Sequence, residues 1–458
     1  MTFPERLLDL GASMVPLLFA LAFGACVGSL INVLVYRLPR GIGVVFPPSR
    51  CPACETRLTW RENIPVLGWM LLGGRCRFCK SPISIEYPVV EASVATLFGL
   101  FYWLWYGFTG KGVWLTVPWG VLRPEWSLAG LPATWPIFIV VLALVSCLVA
   151  MTLTDAKTYS IPLVLPWFAT AVGLAGHTLW ASYVQWNSGA LPYVAKGWIN
   201  WEWALPTPGA TWSSGGGALG SWTWVAAPLG ATLGLCISML LLRFGLIRQS
   251  FADYEAWEAQ TKAASATANP NPDAGSAMSA RESPADLWIE YPHARREMVL
   301  ELAFLAPIVI GAWIGAKVPA QVLSESALAS GIPLWLSVLA GCMTGYFVGA
   351  GLVWAIRIVA TLVVGREAMG LGDAHLLAAV GACVGWIDAV LTFFGAAFVG
   401  VAWEIINRLR GASARRAMQF GPCLAIAAVL IQLLKPLVEH GLGLMLRLGP
   451  GSGPMNLP

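Results

Sequence analysis

Stretches of about twenty apolar residues recur along this chain with few or no charges, enough to cross a bilayer as helix. They lie at 14–36, 88–107, 136–153, 163–183, 224–242, 298–314, 333–355, 374–406 and 420–437. Inside a membrane every backbone N–H and C=O must be paired internally, so the choice is helices or a closed barrel. These runs are continuous rather than alternating, which selects helices. The fraction of charged residues, 11% against 57% hydrophobic, excludes an ordinary soluble domain. The 24 tryptophans suit belts at the span ends. The run 374–406 is too long for one crossing and is expected to turn near Gly385-Trp386-Ile387-Asp388. An all-α polytopic membrane protein of about 8–10 transmembrane helices follows.

Basic residues set the sidedness. Residues 37–87 carry Arg37, Arg40, Arg50, Arg57, Arg61, Arg75, Arg77 and Lys80 against Glu55, Glu62 and Glu86. A short loop this rich in Arg and Lys stays in the cytoplasm. The N-terminal segment carries Glu5, Arg6 and Asp9 rather than a basic start, so 14–36 reads as a retained span, not a cleaved signal. Alternation then brings Asp155 and Lys157 to the cytoplasmic face. Arg243 and Arg248, and later Arg357 and Arg366, mark the inner ends of further spans. The expected organisation is a first span at 14–36 and a loop domain at 37–87. Core spans follow at 88–185, then an expanded region at 186–364 with a flexible linker at 250–286, further core spans at 365–440 and a tail at 441–458.

Two clusters carry chemistry. Cys51-Pro52-Ala53-Cys54 and Cys76-Arg77-Phe78-Cys79 form a Cys-x2-Cys-x21-Cys-x2-Cys pattern. Two such knuckles aim four soft sulfurs at one point, as tetrahedral zinc requires, and a closed four-thiolate site is structural rather than catalytic. Two disulfides and an iron–sulfur cluster are the alternatives, the first disfavoured in a reducing compartment. The remaining cysteines lie singly in apolar runs and read as packing.

The second cluster is the pair Asp155 and Asp373, far apart in sequence but both at inner ends of spans. Acids at such positions are costly and mark function by default. Two facing carboxylates cannot easily both ionise, and a pair sharing a proton can act as base and acid together. Gly370 and Gly372, just before Asp373, let an extended substrate backbone approach. Local readings compete: Asp373 as a helix N-cap, and Asp155 as a solvated acid beside Lys157. His375 reads as a local hydrogen-bonding group more readily than as a metal ligand.

Taken together these motifs resemble the bacterial type IV prepilin peptidases, intramembrane aspartic proteases of the GxGD kind. The resemblance rests on residues 23–33 with Arg37-Leu38-Pro39, the four cysteines, Arg61-Glu62-Asn63-Ile64-Pro65, Tyr87-Pro88-Val89-Val90-Glu91, Thr154-Asp155 with Ile161-Pro162, Met369-Gly370-Leu371-Gly372-Asp373 and Phe420-Gly421-Pro422. It implies that Asp155 and Asp373 are the catalytic pair. It implies cleavage of a basic leader from type IV prepilins or type II secretion pseudopilins at the cytoplasmic face of the bacterial inner (plasma) membrane. In many members S-adenosylmethionine then methylates the new N-terminus. Lipid is an expected partner and nucleic acid is not. Leu163 stands where the family usually has another Asp after Ile-Pro, and four spans rather than two separate the aspartates here. Methyl transfer rests on resemblance alone. The competing readings are an ion-coupled transporter using Asp388, Glu301 or Glu404 as carriers, and a non-catalytic scaffold for secretion assembly.

Overall fold

A computed structural model describes residues 3–107, 130–188, 222–254, 293–322, 332–367, 369–409 and 419–435, with a few residues between these stretches. Most of the expected linker at 250–286, the Trp- and Gly-rich segment before 222, the basic stretch with Arg410, Arg415 and Arg416, and nearly all of the tail lie outside the described residues.

Helices dominate. They are α1 (Phe3–Arg37), the short α2 (Leu67–Leu71), α3 (Glu86–Tyr102), α4 (Leu131–Thr158), α5 (Val164–Ser188), α6 (Trp222–Arg243), α7 (Ala294–Val322), α8 (Leu334–Val364), α9 (Leu371–Val384), α10 (Trp386–Leu409) and α11 (Phe420–Leu433). A hairpin of two two-residue strands, Val113–Trp114 and Val117–Pro118, is the sheet among the described residues. Among the described residues, seven helices are long and apolar enough to cross a membrane: α1, α3, α4, α6, α7, α8 and α10. The bundle's outer faces carry Phe19, Ile310, Phe398 and Val401 in the open, as lipid contact requires. The protein is therefore a multi-pass membrane protein. The run 374–406 divides as expected, with Gly385 at φ 95° between α9 and α10.

Among the described residues, two helices of the bundle are short. α9 and α11 have 14 residues each, about 21 Å of helix against a hydrocarbon core of about 30 Å. α9 is buried along nearly its whole length and packs against α5, α8, α10 and α11. Glycines permit this. A Cβ on Gly345 of α8 would strike the Gly381 carbonyl of α9, and one on Gly173 of α5 would meet Cys383 and the Ala382 carbonyl. His177 of α5 lies 2.7 Å through Nε2 from the Cys383 carbonyl. In a membrane, close backbone approach and such bonds replace the hydrophobic drive between helices.

Candidate functional site

The two aspartates meet. Asp155 sits in the last turn of α4, whose end is closed by Tyr159 in the left-handed region, with the Tyr159 N–H on the Asp155 carbonyl. Asp373 occupies the first turn of α9, which opens at Gly370. Gly421, at the start of α11, lies between them. A Cβ built on Gly421 would be 3.0 Å from Asp155 Oδ2 and 3.0 Å from Asp373 Oδ1. The two carboxylate oxygens are thus no farther apart than those distances combined. Both side chains are largely buried, 9% and 8% exposed. Asp373 is the third helical residue and not the cap, so the capping reading does not describe it.

Three further contacts shape this place. Gln419, the residue before α11, donates from Nε2 to the Asp155 carbonyl at 2.9 Å. Ile161 wedges against both Gly372 and Gly421, whose Cβ atoms would be 3.1 and 3.4 Å from it. Gly370 is exposed and Gly372 half-buried beside the acids. Sequence reasoning overlooked Gln419, for which a lone polar residue before an apolar run gave no signal.

Arg357 was expected to mark the inner end of a span. Instead α8 runs on to Val364 and Arg357 is buried inside the protein. It pairs with Glu301 of α7 at 3.1 Å, and with Glu367 at 2.5 Å and the Met369 carbonyl just before the Gly370 turn. The other membrane acids are also partnered. Asp388 accepts from Gln432 at 2.6 Å and from Lys435 at 3.0 Å, Glu404 pairs with Arg408 at 2.8 Å, and Glu91 accepts the Val66 N–H at 2.7 Å. Fixed partners of this kind suit structure better than ion carriage.

The four cysteines converge at the same end of the bundle. Their sulfurs all lie within 4.8 Å of one another, with Cys51–Cys79 at 3.8 Å and Cys54–Cys76 at 4.0 Å. Four sulfurs bound at about 2.3 Å to a tetrahedral ion stand about 3.8 Å apart, so the cluster fits a metal. Both knuckles are built alike. Cys51 N–H bonds the Thr56 carbonyl and Glu55 N–H the Cys51 carbonyl; Cys76 N–H bonds the Ser81 carbonyl and Lys80 N–H the Cys76 carbonyl. Glu55 and Lys80 both take positive φ to close these turns. Backbone N–H groups of Cys54 and then Ala53 face the Cys51 sulfur and bring its thiol down to about 6. No disulfide joins any pair of the ten cysteines.

Motif residues hold together the helices that flank the loop, and Glu91 of α3 ties the loop itself by accepting the Val66 N–H. Asn32 of α1 donates to the Tyr87 carbonyl at 3.1 Å, and a Cβ on Gly28 would touch Glu91 Cα at 2.6 Å. Lys157, two residues past Asp155, pairs with Glu86 at the start of α3.

Fold and site together define a polytopic α-helical membrane protein with two carboxylates converging beside a four-cysteine loop. Residues 22–105 match the family described as Bacterial Peptidase A24 N-terminal domain. A prepilin leader peptidase/N-methyltransferase of Aeromonas hydrophila is 30% identical over 285 residues, covering 52% of this chain and 86% of that protein. Proteins of the same name from Myxococcus xanthus and Klebsiella pneumoniae are 49% and 43% identical over 80 and 88 residues, 18% of this chain in each case. Those stretches span 24% and 39% of the two relatives, so against several relatives the chain matches less than half their length. No solved structure matches the chain. The chain belongs to the prepilin leader peptidase/N-methyltransferase family.

Proposed function

We propose that this protein is an aspartic endopeptidase of the bacterial inner membrane that removes the basic leader of type IV prepilins or type II secretion pseudopilins at the cytoplasmic face. One observation carries the reading: Asp155 and Asp373, 218 residues apart in the chain and on different helices, both reach the Gly421 position. In the reaction one carboxylate takes a proton from water as its oxygen bonds to the scissile carbonyl carbon. The other carboxyl donates its one proton to the carbonyl oxygen; as the C–N bond breaks, the first carboxyl passes the proton it took from water to the departing amine, and the second takes a proton back from the gem-diol, restoring the pair. Gly370 and Gly372 leave room for the extended substrate backbone. The short helices α9 and α11 support a centre recessed from the membrane surface, because each covers only part of the hydrocarbon thickness and each begins at the acids.

In this reading Cys51, Cys54, Cys76 and Cys79 hold structural zinc, leaving no open coordination position for chemistry. The basic loop around them lies against anionic lipid. The division into loop domain, core spans and inserted region follows the same proposal. N-methylation follows from family membership. The described residues offer no glycine loop between strand and helix that would fit S-adenosylmethionine.

The test is processing of a co-expressed type IV prepilin. Wild type should yield the mature, faster-migrating band, and Asp155→Asn or Asp373→Asn should leave the precursor uncut at equal membrane levels of enzyme. Maturation by either Asn variant at the wild-type rate would remove the paired-acid mechanism.

A further inference from the structure

The region between the two aspartate motifs includes α6 and α7, and these form a tight pair. A Cβ on Gly230 would strike the Gly311 carbonyl, one on Gly234 the Pro307 carbonyl, and one on Gly315 the Ala226 carbonyl. Such a pair could stand beside the bundle as an appendage. The contacts of α7 say otherwise.

Glu301 of α7 is 2% exposed and faces α8. Its carboxylate accepts from Trp354 Nε1 at 2.7 Å and from Arg357 through Nε at 3.3 Å and Nη2 at 3.1 Å. The other guanidinium nitrogen, Nη1, turns the opposite way, to Glu367 and to the Met369 carbonyl. One planar fork therefore joins α7, α8 and the turn that delivers Asp373. Only arginine presents donors on both sides in fixed directions; a lysine is a single point charge. The face of the group is covered too: the Phe251 ring lies 5.4 Å from Arg357 Cζ, and the Phe251 N–H is held by Glu297, one helical turn before Glu301. Arg295, at the start of α7, bonds the Val363 carbonyl at 3.4 Å, where α8 ends in the left-handed Gly365. The inserted helix thus reaches the segment 363–369 from several directions.

A guanidinium that is 1% exposed is costly to bury unless its partners compensate. Ordinary helix packing gives no reason to accept that cost here. Besides answering Glu301 and Glu367, the fork does what an apolar side chain could not: it fixes a backbone carbonyl directly before Gly370. Glycines at 370 and 372 leave that turn free to vary, yet Asp373 must meet Asp155 within a fraction of an ångström for the pair to work.

We propose that Arg357 is a positioning residue for Asp373, held in place by Glu301, so that the inserted α6–α7 pair sets the geometry of the second aspartate. This rests on the reading of Asp155 and Asp373 as the reacting pair.

The test uses the full-length protein in detergent micelles and the prepilin that wild type cuts. Arg357→Gln removes the fork but leaves Glu301 buried alone, so it can fail through instability. The double variant Glu301→Gln/Arg357→Met removes both charges, keeps an acceptor for Trp354 and leaves no lone buried ion. The expected result is a melting temperature close to wild type, a kcat lower by about ten- to a hundredfold, as misplacement of a reacting group produces, and a KM within about twofold. A double variant with wild-type kcat would show that the ion pair only holds helices together and would overturn the inference. A raised KM with unchanged kcat would do the same, by making Arg357 a substrate contact. Asp373→Asn, measured alongside, separates the two layers. If it is inactive while the double variant is fully active, this inference alone falls; if it cuts normally, the paired-acid reading falls and takes this inference with it.

Discussion

One methyl group decides whether the two acids can converge at Gly421. The Cβ of an alanine there would sit 3.0 Å from an oxygen of each aspartate, tighter than ordinary contact allows, and 3.4 Å from Ile161. The carboxylates must then part by a few tenths of an ångström or rotate. Gly421→Ala is expected to insert and fold normally while kcat for prepilin cleavage falls by about ten- to a hundredfold, since small misplacements cost that much. Unchanged kcat would mean the pair tolerates a wider gap than the mechanism allows. Legibility also divides at this scale. Asp155 and Asp373 could be found because acids at the ends of apolar runs are conspicuous. Arg357 could not, because an arginine in that position reads as a flag of the cytoplasmic side; its meaning depends on Glu301, 56 residues away. Gln419 depends on a carbonyl 264 residues away, and nothing local announces it.

Helix pairing is decided by where side chains are missing. Each expected span is a helix, because twenty apolar residues with no water to solvate their backbone have one economical conformation. Their neighbours were not legible, since apolar faces in lipid attract one another without preference, and the choice falls to a few small residues. The α6–α7 contact shows this: Gly230 with Gly311, and Gly234 with Pro307, bring carbonyl oxygens against bare Cα atoms. Gly311→Val would force a branched side chain into the Gly230 carbonyl. Overpacking of this kind costs roughly 1–3 kcal/mol, to be read as a lower melting temperature in detergent. If α7 also holds Arg357, cleavage should weaken with it; the same substitution at Gly351, where a Cβ meets nothing within 4 Å, should change neither. Helix ends were the least legible feature. α8 passes its apolar limit because its buried arginine is satisfied inside the protein rather than by water.

Across the whole molecule, two parts are held together by different means, and removing the zinc proposed for the four cysteines should separate them. The bundle rests on a continuous buried core drawn from α1, α3, α4, α5, α8, α9, α10 and α11. Between α1 and α3 the loop has no comparable core: its buried side chains are Cys51, Cys76 and the polar Glu62. Trp69 adds one bond to the Ile83 carbonyl at 3.1 Å and packs on Gly74. A segment this poor in burial needs a cross-link, which is what four thiolates on one ion supply. Acid should therefore open it before it affects the bundle. The Cys51 thiol lies at about 6, below the ordinary 9.0, so above that value its sulfur binds metal without giving up a proton. As pH falls through about 6 the proton competes, and retention should drop more steeply than it does between pH 8 and 7. The expected outcome, on acidification or with a strong zinc chelator at neutral pH, is release of one zinc per chain and new tryptic cleavage at Arg50, Arg57, Arg75 and Arg77. The far-ultraviolet helix signal should not change. A fall in helix signal in step with metal loss would show instead that the loop, through Glu91, Tyr87 and Lys157, carries the fold of the membrane helices. Tryptic resistance after complete metal removal would show that the paired knuckle turns hold the loop unaided.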